Sequence, residues 1–145
     1  MTDIAEEPAG LRQLRAAFGS GGPGIGRTMN FSLVTLEAGR VVFEGRPSEA
    51  VYNPIGTVHG GYAATLLDSA CGCVVHSMLG EGQSYTTLEL KVAYHRAIKA
   101  DTGPVYAEGK ILSMGRRAAF VEAKLTDAAG RLYASATSSL LIMSV

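Results

Sequence analysis

The segment spanning residues 60–78 constrains this chain more than any other, because read as a helix it has almost no polar face. Ala63, Leu66, Leu67, Ala70, Val74, Val75 and Met78 cover most of the circumference. A helix that is apolar on nearly every side belongs inside a protein. Gly80-Glu81-Gly82 ends it. Elsewhere the period changes to two. Phe31, Leu33 and Thr35 alternate with Ser32, Val34 and Leu36, and Glu37-Ala38-Gly39-Arg40 turns the chain into Val41-Val42-Phe43-Glu44, which predicts a β-hairpin. Strand-like segments follow at 84–96, 104–113, 117–127 and 131–142, with Leu88, Leu90, Val92 and Tyr94 alternating and Asp127-Ala128-Ala129-Gly130 as a hairpin turn. One buried helix among consecutive antiparallel strands predicts an α+β fold in which a curved sheet of five to six strands wraps the helix.

Upstream, Ile4, Leu11, Leu14 and Phe18 recur at near-helical intervals, predicting an amphipathic N-terminal helix over 5–18. The run GSGGPGIG over 19–26 then breaks it. Gly19, Gly21 and Gly24 formally spell G-x-G-x-x-G, but no strand precedes them, Pro23 interrupts them and no P-loop lysine follows. The run therefore reads as a flexible linker. Residues 1–27 form the helix and linker, and 28–145 form one domain.

Thirteen basic residues balance thirteen acidic ones, so no global field draws the chain to nucleic acid or to a membrane surface. No apolar run reaches membrane-spanning length, and the first ten residues lack the apolar stretch of a signal peptide. Cys71 and Cys73 lie two apart on one helix, where side chains diverge, so a disulfide between them is disfavoured and a reducing cytoplasm is expected. Their spacing is too short for a zinc site, and no cluster of metal ligands stands out.

The chemistry concentrates at the start of the buried helix. Asn53-Pro54-Ile55-Gly56-Thr57-Val58-His59-Gly60-Gly61 places a turn and two glycines at a helix N-terminus, where unpaired N–H groups and a partial positive charge suit a developing oxyanion. Downstream, Asp68 is a lone carboxylate on a stripe of small residues that includes Gly61, Ala64, Thr65, Cys71 and Gly72. It reads either as a candidate base or nucleophile or as a packed acid satisfied by a hydroxyl. Gly60 and Asp68 are eight residues apart, which on one helix means ~12 Å along the axis and ~80° around it. Both cannot reach one carbonyl group, so an enzyme using both needs the second from another subunit. His59 is either a general base or a positioning group. His76 is most simply a favourable charge at the helix end, and His95 has no visible partner. Ser69 lacks a nucleophile-elbow context. Arg116 and Arg117 on the turn after Gly115 fit either a phosphate contact or a solvated hairpin end.

The run NPIGTVHGG, Asp68 nine residues after His59, the strand centred on Tyr94 and the Gly115-Arg116-Arg117 turn together resemble the hotdog-fold acyl-CoA thioesterases of the phenylacetate-pathway (PaaI) type, over roughly residues 30–142. That resemblance implies a hotdog domain, dimers that pair into tetramers, and hydrolysis of acyl-CoA thioesters without a cofactor. Implied substrates are small aryl-CoA, such as phenylacetyl- or hydroxyphenylacetyl-CoA, or short to medium acyl-CoA. By position, the Gly60 N–H would polarise the carbonyl and Asn53 would support that carbonyl or the water. Asp68 of the partner subunit would be base or nucleophile, and Thr87 would hold the water. His59 is counted with the catalytic positions, and Gly61, Arg116 and Arg117 with those that bind substrate. The competing expectations are a hotdog dehydratase and a non-catalytic acyl-CoA sensor.

Overall fold

The computed structural model describes residues 6–145. Helices α1 (Ala9–Gly19) and α2 (Gly24–Met29) precede strands β1 (Phe31–Glu37) and β2 (Arg40–Gly45). The long helix α3 (Gly60–His76) then leads to β3 (Gln83–Tyr94), β4 (Val105–Met114), β5 (Ala118–Asp127) and β6 (Leu132–Ser144). All six strands join one antiparallel sheet in the order β1-β2-β4-β5-β6-β3, and α3 packs against it. This is the α+β arrangement that the sequence predicts, and it has the form that the resemblance to hotdog proteins implies. No helix among the described residues is long and apolar enough to cross a membrane.

The core is the contact between α3 and the sheet. Leu66, Leu67, Ala70, Val74 and Val75 of the helix meet Val105 and Ala107 of β4, Val121 and Leu125 of β5, and Leu140 of β6, all fully or almost fully buried. The helix lies close because β4 offers it a glycine. A Cβ on Gly109 would run into the Ala70 carbonyl and come within 3.1 Å of Val74 Cγ1. Burying so many apolar side chains on both surfaces is the main stabilising term.

Four expectations shift in the structure. The buried helix ends at His76, and Met78 is 42 % exposed instead of joining the core. Ser77 explains this: its buried hydroxyl donates to the Val74 carbonyl at 2.7 Å and accepts from the Gly39 N–H at 2.9 Å, closing the helix and fastening the β1–β2 turn to it. The clean alternation expected in β3 breaks at a bulge. Thr87 faces Leu140 and Glu89 faces Ser139, leaving Leu88 between them, 62 % exposed. The N-terminal helix starts at Ala9, after Pro8, and not at residue 5. Proline disfavours helical backbone in the residue before it, so the helix does not extend upstream. Ala5 of the expected helix, and Ile4 of the pattern that predicted it, lie outside the described residues.

Finally, the glycine run is not a featureless linker, since α2 begins within it. The Gly22 N–H donates to the Ala17 carbonyl at 3.1 Å and the Arg27 guanidinium donates to the Gly22 carbonyl at 2.8 Å. Asn30, with a left-handed φ of 55°, ends α2. The whole arm is docked on the domain. Leu11 and Leu14 are buried, the Gly10 N–H donates to the Leu79 carbonyl at 3.0 Å, and Gln13 Oε1 lies 2.9 Å from His76 Nε2.

Because Gly109 sets the helix-to-sheet distance, Gly109→Ala should destabilise the fold by about 1–3 kcal/mol, the usual cost of overpacking. Urea unfolding should show a lower midpoint with an unchanged slope. An unchanged midpoint would mean that α3 has room to move off β4.

Candidate active site

His59 is the N-cap of α3. Its Nδ1 accepts from the Gly61 N–H at 2.8 Å, its carbonyl accepts from the Tyr62 N–H at 2.9 Å, and its own N–H donates to the Val51 carbonyl at 2.7 Å. Of the first three N–H groups of the helix, two are thus committed to His59. The third, on Gly60, donates to no group among the described residues. The Gly60 carbonyl accepts from the Tyr94 hydroxyl at 2.7 Å, and a Cβ on Gly60 would sit 2.9 Å from that hydroxyl, so a side chain here would push the exposed Tyr94 ring aside. Sequence reasoning used Tyr94 as a landmark and missed this role.

The loop before the cap is held by Asn53. Its Oδ1 accepts from the N–H groups of Ile55 and Thr57 at 3.1 Å each, and its Nδ2 donates to Thr57 Oγ1 at 2.9 Å. The backbone adds Asn53 N–H to the Thr57 carbonyl at 2.8 Å and Val58 N–H to the Ile98 carbonyl at 2.9 Å. Asn53, His59, Gly60 and Gly61 open into one cavity of about 590 Å³, walled by Tyr94, His95, Arg96, Ile98 and Tyr133. His95 has a partner after all: its Nε2 is 2.8 Å from Ser135 Oγ, on the neighbouring strand.

Asp68 opens elsewhere. It is half-buried, two turns further along α3, and its Oδ1 accepts from Thr87 Oγ1 at 3.2 Å. Both line a second cavity of about 580 Å³, with Gly72, Cys73 and Tyr85 beside them and Phe18, Phe31 and Phe43 forming its aromatic part. Gly72 lets Tyr85 come close, since a Cβ there would lie 3.0 Å from the phenol oxygen. Ser69 donates its hydroxyl back to the Thr65 carbonyl at 2.7 Å, so that proton is committed to the backbone.

The surroundings of Asp68 are held neutral. Burial, and after it the charge of Asp68, pushes the thiols of Cys71 and Cys73 up to about 12. Burial also raises the Tyr85 phenol, with the neighbouring Cys73 and Asp68 adding to it. Neither thiol is a thiolate near neutral pH, so neither is an activated nucleophile. Arg116 and Arg117 meet neither group. Both are exposed on the turn between β4 and β5, edge a third depression with Gln83, Ile142 and Ser144, and form no ion pair among the described residues.

The structure therefore joins Asp68 with Thr87, and Asn53, His59 and Gly61 with Gly60, but separates the two sets. The chain belongs to the thioesterase superfamily, which matches residues 55–134, and it is thus a thioester hydrolase built on the hotdog fold. Among its relatives, acyl-coenzyme A thioesterase 13 of Homo sapiens is 30% identical over 71% of this chain and 73% of its own length. Among solved structures, the phenylacetic acid degradation-related protein of Ralstonia eutropha JMP134 is 26% identical, with a TM-score of 0.78, over 88% of this chain and 97% of that one. A Streptococcus mutans UA159 protein solved with acetyl CoA is 28% identical, with a TM-score of 0.71, over 79% and 90%.

With Nδ1 already accepting from Gly61, His59 is placed to fix the helix start. His59→Asn, which can still cap, should keep turnover within several-fold of wild type. His59→Ala should lose about 0.5–2 kcal/mol of stability, the typical value of a cap. Loss of turnover in both variants at equal stability would make the imidazole itself catalytic.

Proposed function

We propose that this protein hydrolyses small aryl-CoA thioesters, of the phenylacetyl- or hydroxyphenylacetyl-CoA kind, or short to medium acyl-CoA, to the free acid and CoA. Each active centre is proposed to take its carbonyl-polarising loop from one subunit and its carboxylate from the other. The observation that carries this reading is the separation of Gly60 and Asp68 into two cavities of the same chain. On one helix they stand ~12 Å apart along the axis, too far to share a carbonyl.

The sheet offers a way to join them. β3 is an edge strand of twelve residues and carries Thr87 and Tyr94 seven positions apart. An unpaired edge is a template for another strand. If β3 pairs antiparallel with its own copy about a twofold axis, the Thr87–Asp68 side of one chain runs toward the Tyr94–Gly60 side of the other. A homodimer is then the minimal active unit, and pairing of dimers into a tetramer is carried over from the resemblance.

In the proposed reaction the Gly60 N–H, the uncommitted donor at the helix start, stabilises the oxyanion as water attacks the thioester carbonyl. One such donor is typically worth ~3 kcal/mol. Asp68 of the partner subunit removes the proton of the water, with Thr87 orienting the carboxylate through its hydroxyl. The C–S bond breaks, and CoA leaves as a thiolate that needs little acid assistance. Asn53 and His59 hold the loop that aims the Gly60 N–H, and Gly61 completes the cap. Arg116 and Arg117, two exposed cations with no ion pair among the described residues, are proposed to meet CoA phosphates. The reaction as written draws on no cofactor. The two free cysteines support a reducing cytoplasm as its setting.

Asp68→Asn keeps the shape and removes the base. Thiol release from phenylacetyl-CoA should fall by about 10²–10⁴ in kcat, the usual range for a general base, while acyl-CoA binding survives. Near-normal turnover would remove Asp68 from the mechanism.

The shared site makes a sharper demand. Asn53→Ala and Asp68→Ala homodimers should both be severely impaired. Co-refolded, they should form mixed dimers with one doubly damaged site and one intact site. Random pairing makes about half the dimers mixed, so about a quarter of wild-type activity should return. Subunit exchange shown by tagged pull-down, with no activity above the parents, would overturn the composite site.

A further inference from the structure

We propose that Phe18, carried by the N-terminal arm, limits the length of the acyl group this enzyme accepts, so that aryl and short acyl chains enter and long alkyl chains are excluded. The inference rests on Asp68 being the catalytic carboxylate, because that makes its cavity the acyl site. At about 580 Å³ the cavity falls within the roughly 300–1,000 Å³ of small-molecule sites.

Three rings build the apolar wall of this cavity. Phe18 meets Phe43 edge to face at 5.7 Å between centroids, and Phe31 meets Phe43 the same way at 5.8 Å. Phe31 and Phe43 belong to the β1–β2 hairpin, whereas Phe18 is supplied by α1. Edge-to-face clusters of this kind accept a further aromatic ring in the same manner.

Phe18 is fixed from both sides. Behind it, α1 is anchored through buried Leu11 and Leu14. In front, Gly22, at a φ of +73°, packs so near the ring that an added Cβ would lie 3.0 Å from Phe18 Cδ1. A wall held this firmly does not yield to a longer chain at low cost.

Charge bounds the same cavity. Glu44 and Arg46 line it and pair at 2.8 Å, and the Glu44 side chain is only 17% exposed. A long alkyl tail filling this cavity would displace water from this pair and give it no polar partner in return. Size and polarity therefore act in the same direction.

The test is thiol release from phenylacetyl-, hexanoyl- and decanoyl-CoA by the full-length wild type, Phe18→Ala, Phe18→Trp and Ile25→Ala. Phe18→Ala should raise the decanoyl-to-phenylacetyl ratio of kcat/KM by about tenfold or more, since fitting even one extra methylene into an apolar pocket changes kcat/KM by roughly that factor. Phe18→Trp should lower the ratio. Ile25 lines the same cavity and is 51% exposed, so Ile25→Ala is the control that enlarges the cavity with Phe18 in place and should move the ratio less than Phe18→Ala. Hydrolysis with a ratio unchanged in Phe18→Ala, or in Phe18→Trp where Phe18→Ala folds poorly, would overturn the length limit alone. Full thiol release in Asp68→Asn would instead overturn the catalytic reading on which it rests.

Discussion

The separation between Gly60 and Asp68 cannot be adjusted, because both sit on a rigid rod clamped in place. A helix rises ~1.5 Å per residue, and changing that over eight residues would break its hydrogen-bond ladder. Nor can α3 slide as a body. Gly109 lets the Ala70 carbonyl rest against β4, Ser77 ties the helix end to the β1–β2 turn, and Tyr94 holds the Gly60 carbonyl. A carboxylate in mid-helix and an uncommitted N–H at its start are therefore fixed apart. On the proposed reading, the second subunit is a geometric requirement of this rod, and any other way of uniting the groups would have to unwind it.

How much of this was legible in the sequence depends on the range of the interactions involved. The buried helix, the hairpin at β1–β2 and the Asp127–Gly130 turn were readable because local periodicity and turn chemistry determine them. The bulge at Leu88 was not, since it exists only in the pairing of β3 with β6, and β6 lies about fifty residues further along the chain. The early stop of α3 was missed for a similar reason: Ser77 is an ordinary small polar residue until the Gly39 N–H is brought to it. The α2 helix begins inside a glycine run that by composition favours disorder, and Arg27 folding back onto the Gly22 carbonyl helps order it. The site divides along the same line. The cap, the glycines and Asp68 could be read as a motif. The contacts of Tyr94 with Gly60, of Ser135 with His95 and of Phe18 with Phe43 are long-range, and no pattern in one sequence announces them.

The neutral groups around Asp68 narrow the chemistry that the cavity can support. Two thiols and a phenol stand near the carboxylate, and each could in principle be a nucleophile or an acid. Burial removes them from that role, because it penalises the ionised thiol or phenol, and the negative charge of Asp68 adds to that penalty. Among the described residues, two carboxylates line this cavity: Glu44 is paired with Arg46, and Asp68, with Thr87 as its hydrogen-bonding neighbour, is the one that the proposed reading uses to take a proton from water.

A carboxylate on an otherwise apolar helix is costly unless something solvates it. Thr87 supplies one hydrogen bond, and the cavity gives water access to the rest of the group. The space that solvates Asp68 in the free enzyme is the space that an acyl group would fill. On the proposed reading, substrate entry replaces that water with apolar surface and leaves the carboxylate with Thr87 and the water it will deprotonate. Interactions inside such a closed site are stronger than in bulk solvent. The aromatic wall then does two things with one contact: it selects the acyl group, and by packing against it completes the exclusion of water around Asp68. An acyl group that fits the wall poorly would leave water in the cavity, so poor fit should weaken catalysis as well as binding.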